Sequence, residues 1–220
     1  MNVPTDSPSA PATGPAIAPA PAPVTGTDAA TDPGTGTGIA ITTATGPTPV
    51  LRLTPDEIRR HSGGGLAALL VDAVDDGASV GFLAPLDTAT AASWWRGAAD
   101  EAAEGSREVW VAPGPDGSLA GVVTLVRGGT ANGRHRGEVS RLLVHRSARG
   151  RGLARTLLAA AEAHATATGL TLLVLDTRTD SPAERLYQGT GWTAAGTIPD
   201  FAADPTGVLR ATTLYYKRLG

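Results

Sequence analysis

The sequence predicts a mixed α/β domain built on one central sheet. Three observations predict it. Segments with strand pattern alternate with segments of helical period along residues 50–220, in the order helices, hairpin, strand, helix, strand, helix, strands. "LTLLVLD" is a short continuous apolar run, expected as a strand buried on both faces. At the centre a glycine-rich turn, "RGRG", separates a strand from a helix.

Each element has its own signal. "TPDEIRR" opens a helix, with Thr54 as cap, Pro55 at the first position and Glu57 closing a capping box. "GGGLAALLVDAV" resumes the helix after a glycine break, and "SVGFLAPL" reads as an extended loop. "DTATAASWWRGAADEAAEG" is a further helix ended by Gly105. "REVWVAP" and "LAGVVTLVR" are strands joined by the turn "GPDG", and "GEVSRLLVH" is a third. In the next helix Leu153, Leu157, Leu158, Ala161 and Ala165 share a face, and Gly169 closes it. "SPAERLYQ" starts on Ser181 and Pro182, with Glu184 placed to complete a capping box. "GWTAAGTIP" and "ATTLYYKRL" are closing strands.

Composition divides the chain and excludes several functions. Residues 1–49 hold 10 of the 17 prolines, no Lys or Arg, and only Asp6, Asp28 and Asp32 as charges. Such a stretch buries too little apolar surface to offset the entropy of ordering it, so a disordered tail is expected before a domain at 50–220. It has neither the basic start and apolar run of a signal peptide nor the arginines of a transit peptide. The whole chain carries −3 and the tail accounts for all of it, leaving the domain neutral. A neutral domain argues against nucleic-acid binding. No apolar run approaches the roughly 18 residues that span a bilayer, so no membrane partner is expected and the location expected is cytoplasmic. There is no cysteine, which removes disulfides, thiolate metal sites and a cysteine nucleophile. His61, His135, His145 and His164 show no metal spacing, so no metal is expected.

The segment "HRSARGRGLARTLLAAAE" carries the chemistry. Four arginines, Arg146, Arg149, Arg151 and Arg155, crowd a predicted helix N-terminus, where the helix dipole disfavours cations. An arginine-rich solvated helix start is one reading. The other is an anion site: the turn's N–H groups and the first orphan N–H groups of the helix converge there. Gly150 and Gly152 permit close backbone approach. The segment is no P-loop, lacking Gly-Lys-Ser/Thr, and Arg155 stands where a dinucleotide motif has its third glycine.

These residues resemble a family. "RGRGLA" fits the Arg/Gln-x-x-Gly-x-Gly/Ala signature of the GNAT acetyltransferases, with Arg149, Gly152 and Ala154 at its fixed positions. "AERLYQGTGW" is similar to the family's second motif. "GASVGFLAPL", "EVSRLLVHRSARGRGLARTLL", "LLVLDTRTDSPAERLY" and "TIPDFAADPTGVLRATTLYYKRL" together resemble the branch that includes tabtoxin-resistance acetyltransferases. The resemblance covers about residues 51–218, with Arg146 standing where the family commonly has proline. It implies the GNAT fold, a mixed sheet flanked by helices with a splayed strand pair that binds acetyl-CoA. It implies that Leu142, Leu143 and Val144 pair with the pantetheine and that the Val144 N–H serves the oxyanion. It implies that Arg149, Gly150, Arg151, Gly152, Leu153, Ala154 and Arg155 hold the pyrophosphate.

Acetyl transfer to an amine needs a neutral amine, although alkylamines titrate near ~10. It also needs an oxyanion donor and a proton for the leaving thiolate. Tyr187, matched to the second motif, is the candidate general acid; the alternative is a core tyrosine. Glu138 begins the strand before the glycine turn and Asp176 ends the next, at the strand end where α/β folds bind ligands. They are candidates to bind the acceptor's ammonium and take its proton; the alternatives are a solvated strand end and a turn cap. Weaker candidates are Trp94 and Trp95 to line the acceptor pocket, with buried aromatics the preferred alternative, the "SVGF" loop to clamp the substrate by its backbone, and Asp200 and Tyr215 to border the site. The expected activity is N-acetyl transfer from acetyl-CoA to a small amine, an amino-acid-like toxin or antibiotic, by a monomer or homodimer. A non-catalytic acyl-CoA sensor and a protein or peptide N-acetyltransferase remain as alternatives.

Overall fold

A computed structural model describes residues 49–220; the tail expected at 1–49 lies almost wholly outside the described residues. The elements are β1 (Leu51–Leu53), α1 (Pro55–Ser62), α2 (Gly65–Asp75), α3 (Thr88–Ala103), β2 (Arg107–Pro113), β3 (Leu119–Arg127), β4 (Arg136–Val144), α4 (Leu153–Ala167), β5 (Leu172–Arg178), α5 (Pro182–Gln188), β6 (Thr193–Ala203) and β7 (Leu209–Arg218). The seven strands form one sheet in the order β1-β2-β3-β4-β5-β7-β6. Only β4 and β5 are parallel. Their crossover is α4, as a parallel pair requires.

The local signals act largely as read. Thr54 and Glu57 form the reciprocal box at the start of α1. Gly105 and Gly169, at φ +75° and +82°, end α3 and α4 in the left-handed conformation that only glycine adopts without strain.

Four readings need correction. β1 went unpredicted, because three residues, "LRL", are too few to show a period; pairing with β2 makes it a strand. β5 is not buried on both faces. Leu173 and Leu175 are buried under α4 and α5, whereas Leu172 and Val174 are half-buried on the opposite face. At α5, Ser181 caps the Glu184 N–H, but the Glu184 carboxylate accepts from the Asp180 N–H at 2.7 Å and the Tyr215 hydroxyl at 3.0 Å. The glutamate braces β7 against the helix start. The β6–β7 hairpin also runs further than its pattern, through Pro199 and an Asp200 held at φ +50°, because β6 slips register there.

The sheet separates two cores. On one face α1–α3 bury Ile58, Leu66, Leu70 and Trp95 against Val109, Val111 and Val122. On the other α4 and α5 bury Leu157, Leu158 and Tyr187 against Leu125, Leu173 and Tyr215. Each fully buried leucine contributes about 1.5–3 kcal/mol, so both helical layers are firmly held and the site lies in the sheet between them.

Candidate active site

The site begins where β4 leaves β5. The two strands pair only from Arg136↔Leu172 to Glu138↔Val174, yet β4 runs on to Val144 and β5 to Arg178. A β-bulge causes the parting. Between Val122 and Thr124 of β3 there is one residue, while between their partners Leu143 and Ser140 there are two, Arg141 and Leu142. The extra residue bends β4, as bulges do, with Arg141 at φ +50°. Past the bulge the His145 N–H donates to the Ala120 carbonyl at 2.9 Å. Bonded and non-bonded pairs alternate in an antiparallel ladder. Val144, opposite Gly121, is therefore in a non-bonded pair, and its N–H and C=O face the gap. Its carbonyl accepts from Arg149 Nε at 3.1 Å. Leu143, opposite Val122, faces its backbone toward β3.

The turn after β4 is built for an anion. Gly150 and Gly152 hold φ of +76° and +79°, and a Cβ added at either would meet nothing within 4 Å. Gly152 precedes α4 and offers no side-chain cap. The first N–H groups of the helix are thus left for a ligand, the arrangement that suits a diphosphate.

The four arginines divide. Arg146 and Arg149 are tied to the end of α2, pairing with Asp72 and Asp76 respectively. The Arg146 N–H also donates to Asp72 Oδ2 at 3.0 Å, a bond that proline at this position lacks. The Arg149 hydrogen bond holds the Asp76 carboxyl below its ordinary range. Arg151 reaches only the Ser147 carbonyl, at 3.3 Å. Neither Arg151 nor Arg155 makes an ion pair among the described residues. The crowding of cations is tolerable because α2 supplies carboxylates for half of them.

Across the gap, the two carboxylates come together. Glu138 is in register with Val174, two residues before Asp176 on β5, so the two acids share the sheet face that carries α1–α3. Both acids are exposed at the surface of the sheet; partial desolvation by the surrounding protein raises the Glu138 pKa, the Asp176 charge raises it further, and Arg107, Arg141 and Arg136 oppose the rise. Desolvation also raises Asp176, against Arg141. Glu138 borders a cleft of about 340 Å³ with Val126, Arg127, Arg136 and Val174.

Tyr187 lies on the opposite face, 5.9 Å from the Trp192 ring and 6.1 Å from Tyr215 between ring centres. Burial, then the Asp176 charge, pushes its phenol well above the usual tyrosine range, so it is protonated at neutral pH. Of the two acids, Asp176 acts on the phenol across the sheet.

Trp95 is fully buried core, the alternative to a pocket role. Trp94 is half-buried beneath two guanidiniums, those of Arg141 at 4.6 Å and Arg107 at 5.3 Å from the ring centre. Tyr215 backs Tyr187 and does not border the acid face. His145 caps the turn after β4, and His164 meets Glu108 at 2.7 Å. No group of three His, Cys, Asp or Glu that could hold a metal occurs among the described residues. Arg141 escaped sequence reading, although its signal was present: an arginine within the apolar strand "EVSRLLV".

This splayed strand pair, with its glycine turn and uncapped helix, defines an acyl-CoA-dependent transferase. The profile of the acetyltransferase (GNAT) family matches residues 83–192, half of the chain; the chain belongs to that family and is an acetyltransferase that acts with acetyl-CoA. Solved structures share the fold. A ribosomal-protein-alanine N-acetyltransferase from Brucella melitensis matches with TM-score 0.63 and 22% identity, over 77% of this chain and 99% of that one. An N-acetyltransferase from Staphylococcus aureus Mu50 matches with TM-score 0.65 and 20% identity, over 78% and 98%. A phosphinothricin acetyltransferase from Sinorhizobium meliloti, in complex with AcCoA, matches with TM-score 0.64 and 17% identity, over 79% and 89%. No helix among the described residues is long and apolar enough to cross a membrane.

Proposed function

We propose that this acetyltransferase acts on the amine of a small molecule, with Glu138 and Asp176 on the acceptor side of the β4–β5 gap and Tyr187 on the donor side. One observation carries the reading: Glu138 and Asp176 share one face of the sheet where β4 and β5 part, and the buried, protonated phenol of Tyr187 lies on the other face under the influence of the Asp176 charge. Acetyl-CoA supplies an activated thioester. Leu142, Leu143 and Val144 line its path. The N–H groups of Gly150, Gly152, Leu153, Ala154 and the residues between and after them hold its diphosphate, with Arg151 and Arg155 as counter-charges. Arg149 acts by fixing the turn, since its side chain is engaged by Asp76 and the Val144 carbonyl.

Glu138 and Asp176 bind the acceptor's ammonium, and one of them takes its proton, directly or through water. Their raised pKa values suit that task better than those of ordinary carboxylates. The neutral amine attacks the thioester carbonyl, forming the C–N bond. The Val144 N–H, aimed at the gap, donates to the carbonyl oxygen as charge develops on it. As the C–S bond breaks, Tyr187 gives its proton to the thiolate. The absence of cysteine removes the commonest covalent acyl carrier and favours direct attack.

We further propose an amino-acid-like toxin or antibiotic as acceptor, in the cytoplasm, on the resemblance to the tabtoxin-resistance branch. The test is acetyl-CoA-dependent thiol release against tabtoxinine-β-lactam, phosphinothricin, aminoglycosides, polyamines and amino acids, with Glu138→Gln and Asp176→Asn alongside. Turnover on one class, reduced in both variants at unchanged acetyl-CoA affinity, is expected. Loss of cofactor affinity with unchanged turnover refutes the assignment of the acids.

A further inference from the structure

Arg141 has no partner that explains it. Its Nε is sealed from solvent and hydrogen-bonds nothing. Its guanidinium makes no ion pair among the described residues. Arg107, at the same Trp94 ring, is engaged, with Nε 2.6 Å from Glu101 and Nη1 3.2 Å from Thr124. The backbone at Arg141 is also strained, at φ +50° in a non-glycine residue. Such strain costs about 1–3 kcal/mol and concentrates at functional sites.

The bulge is what aims this side chain. Glu138 and Ser140 point to the α1–α3 face, so strict alternation sends Arg141 to the other. The extra residue returns it to the first face, 4.6 Å over Trp94. Gly81 of the "SVGF" loop roofs it: a Cβ there would lie 3.3 Å from Nη2. Among the described residues the opposite charges that act on the guanidinium are Asp176 and Glu138, the two acids assigned to the ammonium, and neither bonds to it. A half-buried cation is therefore held open, beside an ammonium site, with its Nη fork unused.

We propose that Arg141 binds a carboxylate of the acceptor, so that the site reads a zwitterion: the ammonium on Glu138 and Asp176, the carboxylate on the guanidinium. A planar guanidinium matches a carboxylate in geometry and stays charged. Trp94 lies against it in a cation–π contact, and the missing Cβ of Gly81 leaves room at Nη2. Arg141 is the specificity residue of the acetyltransferase reading above, and the inference rests on that reading.

The experiment uses matched acceptors with and without the α-carboxylate: leucine with isoamylamine, phenylalanine with phenethylamine, histidine with histamine. Thiol release is measured at saturating acetyl-CoA for the wild type, Arg141→Gln, Arg141→Lys and Arg136→Gln, the last altering an exposed arginine of the cleft that Glu138 borders. Binding of the same compounds to the CoA complex is measured by calorimetry. In the wild type the amino acid of at least one pair is favoured tenfold or more over its amine. Arg141→Gln raises KM for that amino acid about thirtyfold or more, the usual penalty for truncating one partner of a buried charge pair, and changes the amine far less, only through the lost charge beside Glu138 and Asp176. Arg141→Lys recovers part of the loss.

Equal loss for both members of a pair marks a structural role and overturns the proposal. So does a wild type that favours the amines, or loss of discrimination in Arg136→Gln alone. If no pair is acetylated, binding decides: capture of an amino acid but not its amine supports the proposal, and capture of neither overturns it. Failure of the wild type to bind acetyl-CoA instead overturns the acetyltransferase reading itself.

Discussion

Removing the hydroxyl of Tyr187 separates chemistry from stability. The ring is buried, with 6% of its surface exposed, and the phenol has no hydrogen-bond partner among the described residues. Burial raises its pKa without any bond to offset it. Tyr187→Phe therefore deletes no hydrogen bond within the protein. Such a change is neutral or stabilising by up to about 1 kcal/mol, a rise of at most about 2–4 °C in a domain of this size. As the general acid, the same hydroxyl is worth about 10²–10⁴ in turnover. Tyr215 is the control. It lies 6.1 Å away and is also buried, but its hydroxyl donates to Glu184 at 3.0 Å and accepts from Gln188 at 3.1 Å. Tyr215→Phe breaks a bond to a charged group and is expected to cost about 1.5–3 kcal/mol. The assay is thermal unfolding beside steady-state thiol release on both variants. The reasoning is refuted if Tyr187→Phe melts lower while turning over normally, because the tyrosine is then a core residue.

The remaining predictions follow from the same geometry. Glu138 and Asp176 have folded pKa values above their ordinary 4.5 and 3.8, so the folded state binds more protons, and stability falls as pH rises from those values through the raised ones. Glu138→Gln or Asp176→Asn should flatten that fall in pH-dependent unfolding and stabilise the protein at neutral pH, while the acid limb of the wild-type kcat/KM profile lies above the ordinary carboxylate range. Gly152→Ala places a Cβ in open space at φ +79°, costing about 1–2 kcal/mol of backbone strain; titration calorimetry should show acetyl-CoA affinity falling by far more than this strain lowers stability. Leu157→Ala, which empties a fully buried position of α4 facing the sheet, should cost about 2–5 kcal/mol in denaturant unfolding.

Much of the fold was legible because the signals were local. Thr54, Ser181, Gly105 and Gly169 mark helix ends by chemistry that acts within a turn. β1 is made by its partner strand, and three residues carry no period. The two-faced burial expected of β5 failed because an apolar run does not say which face a helix will cover. In the site, Glu138, Asp176 and Tyr187 were readable as residue types at strand and helix ends. What was not readable is what non-local packing decides: the bulge that parts β4 from β5, the Arg141 side chain it re-aims, and the engagement of Arg146 and Arg149 by aspartates more than seventy residues away. Glu184 shows the limit within a motif, since its spacing promised a capping box and Tyr215, from a distant strand, claimed the carboxylate.

The most direct test of the central claim is a crystal structure of the acetyl-CoA complex. The account predicts the thioester in the gap between β4 and β5, its carbonyl oxygen within hydrogen-bond distance of the Val144 N–H and its sulfur facing Tyr187. It also predicts the diphosphate on the N–H groups at the start of α4. A pantetheine that bypasses the gap, or a sulfur turned from Tyr187 toward Glu138 and Asp176, contradicts it.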